Sequence, residues 1–248
     1  MADDAKDRAI AVADQIRQRI EKKRQTDKLT SAQRKLLDQS AKIFDEPATK
    51  QDAAYLPREL VQVTLPHKNP GDLQQWKRTN GNLTIGIQPG QNFTTGKSYG
   101  FPYGTIPRLL LFWITTDAVR TKNPRIELGN SLRGFMAELG LNSSNGSSGA
   151  KRSDARRLRD QMERLFRSRI SFEATAGTNG RKAWLDMQVA PKGEFWWNPK
   201  DPDQAALWGS WIELGADFFA AITAYPVPAD MRALRALKGS ALALDLYV

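Results

Sequence analysis

Between Lys151 and Arg169 the chain carries eight basic residues, Lys151, Arg152, Arg156, Arg157, Arg159, Arg164, Arg167 and Arg169, against three acids, Asp154, Asp160 and Glu163. The resulting +5 is half of the formal +10 of all 248 residues. Guanidinium and ammonium groups at such density do one kind of chemistry well: they neutralise a row of phosphates and release its counterions. Spacing decides whether they can act together. Leu158, Met162, Leu165 and Phe166 recur at i, i+4, i+7 and i+8, so at about 100° per residue they share one helical face and can anchor it to a core. Arg156, Arg157, Arg164 and Arg167 then fall on the far side. A solvated helix is the competing explanation, because Asp160 before Arg164 and Glu163 before Arg167 form i,i+4 pairs worth about 0.2–0.5 kcal/mol each.

The segment after the helix shifts the balance toward DNA. Ile170 to Ala176 is rich in strand formers, Thr178-Asn179-Gly180 is a turn, and Ala183 to Val189 returns as a second strand. Asn-Gly supplies the positive φ values that a tight hairpin turn needs. Arg181 and Lys182 then sit at or beside the tip. A helix running into a hairpin with a basic tip is the order of elements in a winged helix, whose helix enters the major groove while the wing touches the backbone. The expected fold class is α+β: a winged helix with additional antiparallel strands and N-terminal helices. The candidate DNA-binding set is Lys151, Arg152, Arg156, Arg157, Arg159, Arg164, Arg167, Arg181 and Lys182.

Other chemistries fit the sequence less well. Gly96-Lys97-Ser98 is preceded by Gly90, but five residues separate the two glycines where a P-loop has four, and Tyr-Gly-Phe-Pro-Tyr-Gly comes next where a helix should open. Asp201, Asp203 and Glu194 lie among prolines, in the pattern of a surface loop and not of a cation site. Zero cysteines exclude disulfides, cysteine nucleophiles and thiolate metal sites. The single His67, in Pro66-His67-Lys68, reads as a polar loop residue, and one histidine cannot supply the metal cluster of a nickase. Trp196 and Trp197 fit burial at a strand end better than base stacking. No cofactor and no catalysis are expected.

The supporting elements can be read in turn. Residues 1–50 are charged and helical in pattern, with Ile10, Ala13, Ile16 and Ile20 in one stripe and Leu36, Leu37, Ile43 and Phe44 in a second. They are expected to form an N-terminal helical arm, and stripes facing the core or a dimer partner fit the same pattern. Leu60 to Leu65 and Leu83 to Ile87 alternate as strands. Gly104 to Thr121 predicts a buried central helix, with Thr105 as its cap and Pro107 in its first turn; Arg108 and Arg120 on it serve equally well as phosphate contacts or salt-bridge partners. Asn130 or Ser131 caps another helix, in which Leu132, Phe135, Met136 and Leu139 share a face before Gly140. Residues 142–149 are a Gly/Ser-rich loop. Glu194 to Trp197 and Trp208 to Leu214 read as strands, and Asp230 to Lys238 as a helix closed by Gly239. Gly239 to Val248 echoes Gly104 to Trp113. Residues 51–239 are expected to form one winged-helix DNA-binding domain, and 240–248 the start of a second, truncated winged-helix module.

The pI near 9.9 points to polyanionic partners. The longest apolar run, Leu109 to Ile114, falls far short of the ~20 residues that span a bilayer, and MADDAKDRA is not a secretion signal. A cytoplasmic bacterial protein with no membrane partner is expected.

Several blocks, in order, resemble the plasmid-encoded RepA family of replication initiators. They are Leu60-Val-Gln-Val-Thr-Leu-Pro-His67, Tyr103-Gly-Thr-Ile-Pro-Arg-Leu-Leu-Leu-Phe-Trp-Ile, Ala118-Val-Arg-Thr-Lys, Leu128-Gly-Asn-Ser-Leu, Phe135-Met, Arg157-Leu-Arg-Asp-Gln-Met-Glu-Arg-Leu-Phe166 and Ala243-Leu-Asp-Leu-Tyr247. The resemblance implies an initiator that binds repeated double-stranded sites at a plasmid origin, helps open the duplex and recruits host replication proteins. It further implies a homodimer that represses its own promoter. In the alternative that it also allows, this piece is chiefly the dimerisation and autorepression module, and DNA reading belongs to a second winged helix.

Overall fold

A computed structural model describes residues 29–141, 154–176, 181–196 and 209–248, together with helical positions 14, 15, 18, 19, 21 and 22. In chain order its elements begin with α1 (Ser31–Asp45), a 3-10 turn (Lys50–Asp52), β1 (Ala53–Pro57), α2 (Arg58–Gln62), β2 (Trp76–Asn80) and β3 (Leu83–Gln88). The two-residue strands β4 (Gln91–Asn92) and β5 (Lys97–Ser98) precede α3 (Thr105–Thr121), β6 (Arg125–Gly129) and α4 (Leu132–Glu138). Next come α5 (Asp154–Phe166), β7 (Arg169–Ala176), β8 (Arg181–Gln188), β9 (Lys192–Glu194) and β10 (Ser210–Glu213). The chain closes with α6 (Ala216–Ala224), β11 (Pro226–Asp230), α7 (Met231–Leu237) and α8 (Ala241–Tyr247). All strand pairs are antiparallel, and with the surrounding helices they make an α+β fold.

The organising element is α3. Leu109 to Ile114 is apolar on every side, and eleven residues of this helix are buried, so it can be satisfied only at the centre of a core. Each fully covered Leu or Ile there contributes about 1.5–3 kcal/mol. Gly104, and not Thr105, is the N-cap residue; its φ of 80° and ψ of −154° belong to a region that only glycine enters cheaply. Pro107 sits in the first turn as expected, and Lys122 ends the helix at φ 57°. Around α3 pack β1, α5, α6, α8 and β6.

The main sheet runs β2-β3-β7-β8. Strand alternation puts Ile85, Ile87, Ile170, Phe172 and Met187 on the core side, all 7% exposed or less. In the hairpin Ile170 faces Met187, Phe172 faces Leu185 and Glu173 faces Trp184. The turn Thr178-Asn179-Gly180 lies outside the described residues, as do loop 142–149, Asp201, Asp203, Trp197 and Trp208.

Two expected strands are displaced. Leu60 to Leu65 is not a strand: the chain turns into α2 after Pro57, and Leu60 and Val63 are buried three residues apart, with Gln62 exposed between them. Pro57, at φ −60° and without an N–H, suits a helix approach. The strand lies earlier, in β1, which pairs with β11 from Ala53↔Asp230 to Pro57↔Pro226. Likewise the strand expected at Glu194 to Trp197 is β9, ending at Glu194.

The signals at α4 hold. Ser131 caps α4 through Gly134 N–H, and Leu132, Phe135, Met136 and Leu139 are all buried. Thr30 and Gln33 form a capping box on α1, which packs on α7 with no residue fully buried. Residues 241–247 form α8, capped by Ser240, and Leu244 at 1% exposure belongs to the same core as α3.

Candidate nucleic-acid interface

The apolar stripe of α5 is buried as its spacing requires: Leu158 and Leu165 are 0% exposed, Met162 1% and Phe166 3%. Ala155 joins them, and the helix rests on α3 and α4. Three polar ties fix its pose. Gln161, 6% exposed, accepts the Tyr103 N–H through Oε1 at 2.9 Å. Ser168, fully buried, donates Oγ–H to the Leu165 carbonyl at 2.7 Å, and its own carbonyl accepts Val189 N–H at 3.3 Å, which couples the helix end to the hairpin. Gly90 lies so close that a Cβ there would stand 2.4 Å from the Arg167 carbonyl oxygen.

The predicted cations divide into groups. Arg156, Arg157 and Arg167 are exposed on the outer face, and Arg167 holds its guanidinium 5.8 Å from the Tyr99 ring. Arg159 is half-buried and donates Nε–H to Glu163 at 3.4 Å. Arg164 turns inward, against expectation: Nη1 donates to the Phe101 carbonyl at 3.3 Å, and the guanidinium stands 5.5 Å from the Tyr103 ring. Consequently, among the described residues, the ion pairs expected from Asp160 to Arg164 and from Glu163 to Arg167 do not form, and Glu163 takes Arg159 instead. Carbonyl and aromatic faces of residues 99–103 compete better for Arg164 than one exposed carboxylate does. Arg181 and Lys182 are placed by the backbone of β8, opposite Ala176 and Thr175. Lys151 and Arg152 lie outside the described residues.

Concave polar surfaces flank the helix. One cleft of about 340 Å³ runs between α5 and the start of α3, lined by Arg157, Asp160, Gln161, Arg164, Tyr103 and Thr105 among others. A second, of about 730 Å³, reaches from Arg164 to Lys97, Ser98 and Tyr99. Sequence reasoning does not single out Tyr99, Tyr103 or Gln161; the only signal is the aromatic Tyr-Gly-Phe-Pro-Tyr run, whose glycine and proline speak first for turns. The near-miss phosphate loop is a small hairpin, Gln91↔Ser98 and Asn92↔Lys97, and no helix opens directly after it.

Arg108 and Arg120 are structural. Arg120 donates to the carbonyls of Lys50, Gln51 and Ala53. Arg108, 4% exposed, forks onto Asp245 with Nε at 2.6 Å and Nη2 at 2.8 Å and fills its remaining donors with the carbonyls of Leu65, Pro66 and Gly104. His67 places Nε2 2.6 Å from the Asp245 carboxylate, so it is a hydrogen-bond partner of that group and more than a loop residue. Burial opposes the charge on Asp245, but the hydrogen bonds and charge of Arg108, with help from His67, outweigh it and hold the carboxyl below its usual range.

Among the described residues no group of His, Asp and Glu could hold a metal, and no helix is long and apolar enough to cross a membrane. Trp196 is half-exposed, with its backbone N–H on the Ser210 hydroxyl.

Compared with known proteins, the chain has no match among curated sequences. A crystal structure of domains 2 and 3 of RctB is similar at a TM-score of 0.43 and 11% identity, over 66% of this chain and 62% of that one. The family model described as plasmid-encoded RepA protein matches residues 101–248. That match takes in α3, α5, the β7–β8 hairpin and α8, well over half of the sequence, and the chain belongs to the plasmid-encoded RepA family.

Proposed function

We propose that the chain is the non-enzymatic DNA-binding module of a plasmid replication initiator, and that it engages repeated duplex sites at the origin, and its own promoter, through α5 and the hairpin acting as a winged helix. The observation that carries this reading is the division of α5: a stripe at 0–3% exposure fixed in the core, and Arg156, Arg157 and Arg167 exposed on the outer face. In this arrangement α5 lies in the major groove, and Lys151, Arg152, Arg181 and Lys182 add backbone contacts from either end. Arg159 and Arg164 act indirectly, by holding the helix and the 99–103 loop in place. The work is done in the bacterial cytoplasm, without a cofactor, and ends in recruitment of host replication proteins.

Phosphate neutralisation makes the reading measurable. Phosphate contacts by all seven of these cations give a slope of log K against log salt of about −6, and loss of two reduces its magnitude by about 1.8. Binding to the plasmid's own origin repeats is followed by fluorescence anisotropy over a salt series, for the native chain and for Arg156→Ala combined with Arg167→Ala. A slope near zero, or an unchanged slope in the folded double variant, refutes the interface.

A further inference from the structure

The entrance to α3 holds donors that the fold leaves unused. Gly104 gives its N–H to the Pro66 carbonyl at 3.0 Å, and Pro107 has no N–H to give. The N–H groups of Thr105 and Ile106 remain, in the first turn, where no intrahelical carbonyl can reach them. No side chain caps them, and among the described residues no other backbone carbonyl accepts them. The helix runs for 17 residues, so its aligned peptide dipoles leave about half a positive charge at this end.

A second unused donor comes to the same place from α5. Gln161 is 6% exposed, and the Tyr103 N–H donates to its Oε1 at 2.9 Å. That bond decides which end of the carboxamide is nitrogen. Nε2 donates to no described residue. It is not sealed in protein either, because among the described residues the one side-chain polar atom both sealed and unpaired is Thr115 Oγ1. Gln161 lines the cleft between α5 and the start of α3, so Nε2 opens onto that cleft. A buried carboxamide with half of its capacity unmet calls for a partner from outside the chain.

The charge of the cleft selects the partner. Thr105, Ile106 and Gln161 line it together with Arg157 and Arg164, two guanidinium groups against the single carboxylate of Asp160. Backbone N–H groups at a helix start, a carboxamide N–H and guanidinium groups together suit a tetrahedral oxyanion, whose oxygens accept from several directions at once. We infer that this cleft is a phosphate-binding site, in which the Thr105 and Ile106 N–H groups and Gln161 Nε2 hold the anion and Arg157 and Arg164 supply the field. The phosphate is carried by a small phosphate ester or by a nucleic-acid backbone. The site shares Arg157 with the proposed DNA face, but its donors lie at the entrance of α3, and phosphate binding is measured without DNA.

Inorganic phosphate is the probe. Titrated into the whole nitrogen-15-labelled chain, with chloride holding the ionic strength constant, it is expected to shift the Thr105 and Ile106 amide resonances and the Gln161 side-chain amide along one saturable curve. Gln161→Glu keeps an acceptor for the Tyr103 N–H and sets a carboxylate where Nε2 stood, so it is expected to weaken phosphate binding about tenfold or more. Urea unfolding checks that this variant is folded, and the native titration depends on no variant. Repeating the titration with the origin-repeat duplex bound separates the two sources. Displacement of phosphate by the duplex assigns the site to a backbone phosphate, and undiminished binding assigns it to a small phosphate ester. Native shifts that never saturate, shifts that miss Thr105, Ile106 and Gln161, or full binding by folded Gln161→Glu overturn the proposal. Each of these leaves the salt slope of DNA binding as a separate measurement, so the two readings fail independently.

Discussion

Replacing Asp245 by Asn is expected to cost about 3–5 kcal/mol of folding stability, out of all proportion to an isosteric change of one charge. The magnitude comes from the cation that loses its partner. The Arg108 side chain is 5% exposed and the Asp245 side chain 14%, so little water can take over the guanidinium. Both of the Asp245 carboxylate oxygens are engaged, Oδ1 by Arg108 Nε at 2.6 Å and Oδ2 by Arg108 Nη2 at 2.8 Å and His67 Nε2 at 2.6 Å. An amide offers one acceptor oxygen and turns two donors toward a cation. Urea unfolding at neutral pH, followed by tryptophan fluorescence, gives the free energy; an unchanged m-value shows that the comparison is sound. Arg108→Met together with Asp245→Leu removes both charges and is expected to recover most of the loss. The pH dependence has a definite sign. The folded Asp245 carboxyl lies below its unfolded value, so its contribution is complete above the ordinary carboxylate range and is lost as pH falls through the lowered folded value. The gap between native chain and Asp245→Asn therefore narrows in acid. A loss below about 1 kcal/mol at neutral pH, or a gap that widens in acid, refutes the account.

Packing sets two further outcomes. Leu158→Ala opens a cavity under the middle of α5, at a side chain with no exposure, and is expected to cost about 2–5 kcal/mol in urea unfolding. Gly90→Ala forces a Cβ to within 2.4 Å of the Arg167 carbonyl, so the end of α5 must shift; hydrogen exchange at Arg167 and Ser168 amides is expected to quicken, while exchange within α3 stays slow.

The parts of the fold that are legible in the sequence are those settled within one element. α3 is apolar all round, α4 has Ser131 before it and Gly140 after it, and α5 has four apolar residues on one face; each signal lies within a few residues of its effect. The β7–β8 hairpin is legible for the same reason, since its strands are neighbours. β1 and β11 are not, because they lie far apart in the chain and both contain proline, which argues against a strand when read locally. The alternation in Leu60 to Leu65 misleads because apolar residues two apart are matched equally well by helical burial three apart at Leu60 and Val63.

The site divides along the same line, and the division narrows the chemistry. Helical geometry alone places Arg156, Arg157 and Arg167 outward, and they are exposed. It also places Arg164 outward, and there it fails, because the destination of that guanidinium is set by the Phe101 carbonyl and the Tyr103 ring, delivered by the loop ahead of α3. The same loop donates the Tyr103 N–H to Gln161 of α5, and the next residue, Gly104, gives its carbonyl to Arg108, which holds Asp245. Charge that looks uniform along one helix thus takes two positions. Arg164, with Gln161, locks α5 to the approach of the central helix, whereas Arg156, Arg157 and Arg167 lie exposed on the outer face, the side that the proposed DNA contact uses. If α5 meets DNA as proposed, Arg167→Ala should weaken binding with little change in stability and Arg164→Ala should lower both, so the two variants should separate when binding and unfolding are measured on the same samples.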